Sequence, residues 1–177
     1  MRKIWMPIAA LVLAAVVLLG AYNLTLSLRL ENQQKELQEK MQTLLPGSTT
    51  FQEEPYTGED TNIAFIYKGE TGYVIATETA GYAGPIRMLI GVSNDGYVTG
   101  LQVRQMEETF GLGAEALSDW EFLAQFLGTE GDAAVGENID AITGATVTSK
   151  AVVRCVNSAI AFVTGADTVT EATSWGG

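Results

Sequence analysis

Asp140-Ala141-Ile142-Thr143-Gly144-Ala145-Thr146-Val147-Thr148-Ser149 is a run of small and hydroxylated residues. It leads straight into Ala151–Val163, where apolar residues recur at helical spacing. Its hydroxyls therefore fall where a helix begins, and the amides at a helix N-terminus receive a phosphate well. Gly144 and Ala145 leave space for a bulky group to approach the backbone. The residues themselves leave three readings open. One is a turn followed by a Thr N-cap. The second is a non-covalent phosphate cradle of amides and hydroxyls. The third is a Thr hydroxyl esterified to a phosphate group, with Asp140 as an acidic handle for a metal-dependent modifying enzyme. Lys150 and Arg154, one helical turn apart, suit a phosphate or pair with Asp140 and Glu137.

Composition narrows the chemistry. The 177 residues carry a net charge of -11 and a pI near 4.3. Residues 41–177 hold 5 Lys and Arg against 18 Asp and Glu. Such a surface repels phosphate backbones, so no nucleic-acid partner is expected. There is no His and one Cys, Cys155. That excludes His-based acid–base work, Ser–His–Asp and Cys–His nucleophiles, His-ligated haem and Cys-rich metal clusters within this chain. No resident metal is expected, and no catalytic residue stands out. Redox work here needs a bound organic cofactor. Cys155 shares a helix face with Val152, Val156, Ala159 and Ile160 and reads as core.

Ahead of this domain the chain reads as an anchor and a stalk. Met1-Arg2-Lys3 is basic, and no charge follows from Ile4 to Leu28. Such a stretch is roughly 37 Å long as a helix, enough to span a bilayer core. Residues 1–28 are therefore expected to be a membrane anchor, with the N-terminus inside and the domain on the outer face; a cleavable signal peptide is the alternative, disfavoured by the length of the apolar run and by the want of a small-x-small cleavage site after it. Leu30, Leu37, Met41, Leu44 and Leu45 are spaced near-heptad among Glu, Gln and Lys, which predicts a helical stalk over 29–48. Leu45-Pro46-Gly47-Ser48 ends it.

The remainder, 49–166, reads as one α+β domain, with a polar tail at 167–177. Thr49–Asn62 is polar and expected to be irregular. Strands are expected at Ile63–Lys68, Tyr73–Thr77, Ile86–Val92 and Tyr97–Met106, joined by short turns such as Asn94-Asp95-Gly96. Four strands in succession predict an antiparallel sheet. Glu107–Gly113 is a glycine-containing loop, Ala114–Leu127 a helix, and Gly128–Asn138 a second loop.

The run from Asp140 to Thr148 resembles the D-x-x-[ST]-G-A-T-x-[ST] motif of proteins that carry FMN in phosphoester linkage to a Thr. Three further stretches resemble the FMN-binding domain in the same order: Gly81-Tyr82-Ala83-Gly84-Pro85-Ile86, Asn94-Asp95-Gly96 and Glu108-Thr109-Phe110-Gly111-Leu112-Gly113. Phe110 stands where that family usually has Pro. With its N-terminal span and its length, the whole chain is similar to the G-subunit family of Rnf ion-translocating electron-transport complexes.

The resemblance implies covalent FMN on Thr148, with Thr146 and Ser149 as the next hydroxyls. It implies that Asp140, Thr143, Gly144, Ala145 and Thr146 form the recognition sequence, and that Thr109, Gly111, Leu112 and Gly113 lie near the flavin. It also implies a separate flavin transferase that supplies FMN from FAD, other membrane subunits as partners, and an electron relay between ferredoxin and NAD coupled to ion movement. A membrane-tethered ligand-binding or scaffold domain without a redox role is the competing reading of the same residues. A stand-alone extracellular flavin reductase is a third.

Overall fold

The computed structural model describes residues 18, 19, 22, 25, 29, 31–106, 119–131 and 133–166, the side chains of 105 and 106 excepted. It divides into two units, 1–39 and 40–177. In the first, Leu18, Leu19, Tyr22, Thr25, Arg29 and residues 31–39 are helical. Lys35 pairs with Glu31 one turn earlier at 2.8 Å. Among the described residues no helix is long and apolar enough to cross a membrane. Most of the expected anchor, the loop 107–113, positions 114–118 of the expected helix and the tail lie outside the described residues.

The second unit is built on a five-stranded antiparallel sheet in the order β1-β2-β3-β4-β5. The strands are β1 (Gln52–Glu54), β2 (Ile63–Lys68), β3 (Gly72–Ala80), β4 (Pro85–Ser93) and β5 (Val98–Met106). β1 corrects the expectation of four strands and of an irregular 49–62. It has no apolar alternation, and it pairs through its backbone, Glu53 opposite Tyr67. Two helices follow: α1 (Trp120–Ala124) and α2 (Thr146–Thr164). α1 opens at Trp120, where the Asp119 carboxylate caps it by accepting from the amides of Glu121 and Phe122, and it ends at Ala124, short of the expected Leu127. α2 starts five residues earlier than its apolar spacing predicts, so Thr146–Ser149 form its first turn.

Strand alternation decides what each sheet face does. Ile75, Thr77 and Thr79 of β3 sit opposite Ile90, Met88 and Ile86 of β4. These side chains form one buried layer with Val152, Cys155, Val156, Ala159 and Ile160 of α2. Burying each large aliphatic side chain stabilises the fold by roughly 2 kcal/mol. Phe122 and Phe126 pack edge to face at 5.3 Å and belong to the same core.

The opposite face holds a notch. Gly91 and Gly100 are cross-strand partners. A Cβ at Gly91 would collide with the Leu44 carbonyl, and one at Gly100 would lie 3.0 Å from the Leu44 Cα. Residues 40–44 are helical, and Met41, Leu44 and Leu45 are buried. The Thr99 hydroxyl donates to the Leu44 carbonyl at 2.6 Å. The backbone at Leu44 thus rests directly on the sheet where two side chains are missing. The turn Gly69–Gly72 is fastened to the same chain segment. Glu70 accepts hydrogen bonds from the amides and hydroxyls of Thr49 and Thr50. The Thr71 amide donates to the Ser48 hydroxyl at 3.0 Å.

Candidate functional site

The expected motif is a tight turn capped onto α2. Gly144 takes φ 81, a left-handed conformation suited to glycine. The Ala145 amide then donates to the Ile142 carbonyl at 2.9 Å, and Ala145 is the N-cap of α2. The reading of a Thr N-cap is therefore corrected, since Ala145 makes no side-chain cap bond. A capping hydroxyl or carboxylate at that place contributes about 1 kcal/mol more than Ala. Ser149 instead fastens the turn to the helix from inside it. Its hydroxyl donates to the Ala145 carbonyl at 3.0 Å and accepts from the Ile142 amide at 3.2 Å.

This arrangement sorts the hydroxyls. Thr143, Gly144 and Thr146 are exposed. Thr148 turns inward, with 1% of its surface exposed, and Ser149 is fully buried. The amides of Thr146, Val147 and Thr148 open a 19-residue helix and have no intrahelical carbonyl to meet. The first turn holds no acidic residue to neutralise the positive end of the helix dipole. Lys150 is exposed and makes no ion pair among the described residues. Exposed hydroxyls, open amides and an available ammonium form a donor set that fits the phosphate of a flavin mononucleotide.

Arg154 does not pair with Asp140 or Glu137. It reaches to the end of the central strand β3, donating from Nη2 to the Ala80 carbonyl at 2.9 Å, and from Nε to the Thr79 hydroxyl at 3.4 Å. It thereby joins α2 to the β3–β4 hairpin Gly81–Gly84, closed by the Gly81 amide donating to the Gly84 carbonyl at 2.8 Å. Beside this hairpin lies an open concavity of about 820 Å³ lined by Asn62, Glu78, Thr79, Tyr82 and Pro85, among others. The hydrogen-bonded Arg87 guanidinium holds the Glu78 carboxyl below its usual range there. The helix that carries the motif is therefore bonded, through Arg154, to the end of β3 from which the stretch Gly81–Ile86 continues. The stretch with Thr109, Gly111, Leu112 and Gly113 lies outside the described residues.

Asp140 is exposed, and its main chain is gripped from α1. Its amide donates to Gln125 Oε1 at 2.7 Å, and its carbonyl accepts from Gln125 Nε2 at 3.4 Å. Ile139, just before it, is buried in the core. Asn157 of α2 steadies the preceding loop by donating to the Ala133 carbonyl at 2.9 Å. Nothing in the local sequence announced Gln125, because it acts from 15 residues away. Cys155 is buried, and burial pushes its thiol up to about 11, which suits core and not redox exchange.

Comparison with known proteins places this geometry. The family model of the FMN-binding domain matches residues 81–161. The G subunit of an ion-translocating oxidoreductase complex from Methanosarcina acetivorans is 35% identical over 147 residues, covering 74% of this chain and 77% of that protein. The G subunit of a Na+-translocating ferredoxin:NAD+ oxidoreductase complex from Acetobacterium woodii is 43% identical over 100 residues, 50% of this chain and 47% of that protein. Its counterpart in a proton-translocating ferredoxin:NAD+ oxidoreductase complex from Clostridium ljungdahlii is 41% identical over 99 residues, 52% and 53% of the two chains. The matches to the last two span about half the length of each relative.

Proposed function

The chain belongs to the G-subunit family of ion-translocating oxidoreductase complexes, and from that membership we propose that it is the electron-carrying subunit of such a membrane complex. Its FMN-binding domain passes electrons between neighbouring subunits of an enzyme that works between ferredoxin and NAD. The flavin supplies the redox chemistry; the protein supplies binding, orientation and electrostatics. The observation that carries this reading is the turn Thr143–Thr146 opening α2, a helix whose Arg154 bonds Ala80 at the foot of the Gly81–Gly84 hairpin, all within the matched domain or at its margin.

The flavin is held covalently, on Thr148. A flavin transferase moves FMN from FAD with a divalent metal. The Thr oxygen bonds to the FMN-side phosphorus, the pyrophosphate P–O bond breaks, AMP leaves and the hydroxyl proton goes to solvent. No electron changes hands in that step. Thr148 is buried, so esterification there requires the first turn of α2 to open, and the exposed Thr146 is the competing hydroxyl. Asp140, Thr143, Gly144, Ala145 and Thr146 serve as the sequence that the transferase reads. Thr109, Gly111, Leu112 and Gly113 complete the flavin site. Residues 1–28 anchor the chain in the membrane by one span, residues 29–48 form the stalk, and the domain 49–166 stands on the outer face.

The test is co-expression of the full chain with a flavin transferase, followed by a denaturing gel. Yellow fluorescence that survives denaturation is expected in the wild type and lost in Thr148→Ala. Wild-type chain without it would overturn the covalent reading and favour a scaffold. Fluorescence kept by Thr148→Ala and lost by Thr146→Ala moves the ester to Thr146.

A further inference from the structure

We infer that Gln125 is a positioning residue for flavin attachment, holding Asp140 at a fixed place relative to the Thr146–Thr148 turn. This rests on the reading of the motif as an attachment sequence. Gln125 is the C-cap residue of α1, outside the motif. Its amide head satisfies both the amide and the carbonyl of Asp140. That requires a donor and an acceptor on one planar group, which Gln has at this length and Glu, Lys and Met lack. Ser149 holds the same segment while the first turn of α2 is closed, and the hold of Gln125 on Asp140 does not run through that turn. Gln125 holds the main chain at Asp140 from α1, and Ser149 holds it at Ile142 from α2. Ile139 is buried immediately before. The segment is thus fixed on both sides, while the side chains of Asp140 and Thr143 stay exposed.

The consequence for modification follows from how a second protein reads the motif. An enzyme that must grasp an acidic side chain and a hydroxyl together binds the fraction of molecules in which both are in place. Loss of the grip lowers that fraction and weakens apparent binding in proportion. The Gln125 side chain bonds the main chain of Asp140 and not a motif hydroxyl. Its removal should therefore act on KM for the chain and leave kcat nearly alone.

The experiment measures flavin incorporation into full-length chain by a purified flavin transferase with FAD and Mg2+, at varied chain concentration. Gln125→Leu should raise KM about tenfold, a one-in-ten population of the competent arrangement, with kcat within about twofold. Gln125→Glu keeps the acceptor of the shorter bond but turns a second carboxylate oxygen toward the Asp140 carbonyl, so its KM should fall between the two. Hydrogen exchange at the Asp140 amide should be slow in the wild type and faster in Gln125→Leu, with or without flavin. A wild-type KM in folded Gln125→Leu overturns the inference, as does unchanged exchange at Asp140. Should Gln125→Leu not fold, a wild-type KM in Gln125→Glu overturns it equally. Wild-type chain that never takes covalent flavin instead overturns the attachment reading, and the exchange comparison still reports on the grip.

Discussion

Arg154 donates from Nη2 to the carbonyl of Ala80 across 2.9 Å, and this one side chain ties the motif helix to the β3–β4 hairpin. The contact joins elements 74 residues apart in sequence. Arg154→Ala should destabilise the domain by about 1–2 kcal/mol, the range for a charge-assisted bond to a partly exposed partner. Arg154→Lys should recover only part, because an ammonium cannot meet the Thr79 hydroxyl and the Ala80 carbonyl as a fork does. Urea unfolding of the three proteins checks both expectations.

The glycine notch should be intolerant in a graded way. Gly91→Ala forces a methyl against the Leu44 carbonyl, a backbone atom that cannot swing aside. We expect a loss of about 2–3 kcal/mol there, and about 1 kcal/mol for Gly100→Ala, whose nearest neighbours are looser. Thermal unfolding separates the two.

Glu70 gives a pH signature. Hydrogen bonds from its own amide and from Thr49 and Thr50 hold its carboxyl down at about 2, against an ordinary 4.5. A depressed folded pKa contributes stability that is fully present above about 4.5 and is lost as pH falls toward about 2. The difference in Tm between wild type and Glu70→Gln should therefore be constant near neutrality and shrink across that window. A difference independent of pH would show that Glu70 acts through packing instead.

Cys155 should resist thiol reagents in the native state and react on denaturation. Its raised thiol pKa works in the opposite direction on stability. The unfolded chain ionises first, so stability should decline as pH rises from about 9 toward about 11. Cys155→Ala should remove that decline and cost about 1–2 kcal/mol at neutral pH for the cavity left in the core.

Much of this was legible in the sequence, for identifiable reasons. β2 to β5 were readable because one face of each contributes apolar side chains to the core and the turns carry glycine, as at Gly96 with φ 90. β1 was not, since Gln52–Glu54 is polar and pairs through its backbone. The start of α2 was misplaced because Thr and Val are weak helix formers. Burial of Thr148 and Ser149 overrides that preference. The motif hydroxyls were found by their spacing, but spacing could not say which faces inward. The grip of Gln125 on Asp140, the reach of Arg154 to Ala80 and the seat of Leu44 on Gly91 were invisible for a common reason. Each joins residues whose nearness is created by the fold, and neither partner's neighbours in sequence hint at the other.

The strand order has a consequence in time. Every strand pairs with the one just before it, so the sheet closes only short loops as it forms, and such local pairing is quick. α2 is last in the chain among these elements and supplies the other half of the core. During synthesis the sheet is therefore ready before its cover arrives. For that interval Thr148 lies in water beside Thr146, and the burial that separates the two hydroxyls in the finished domain has not yet happened.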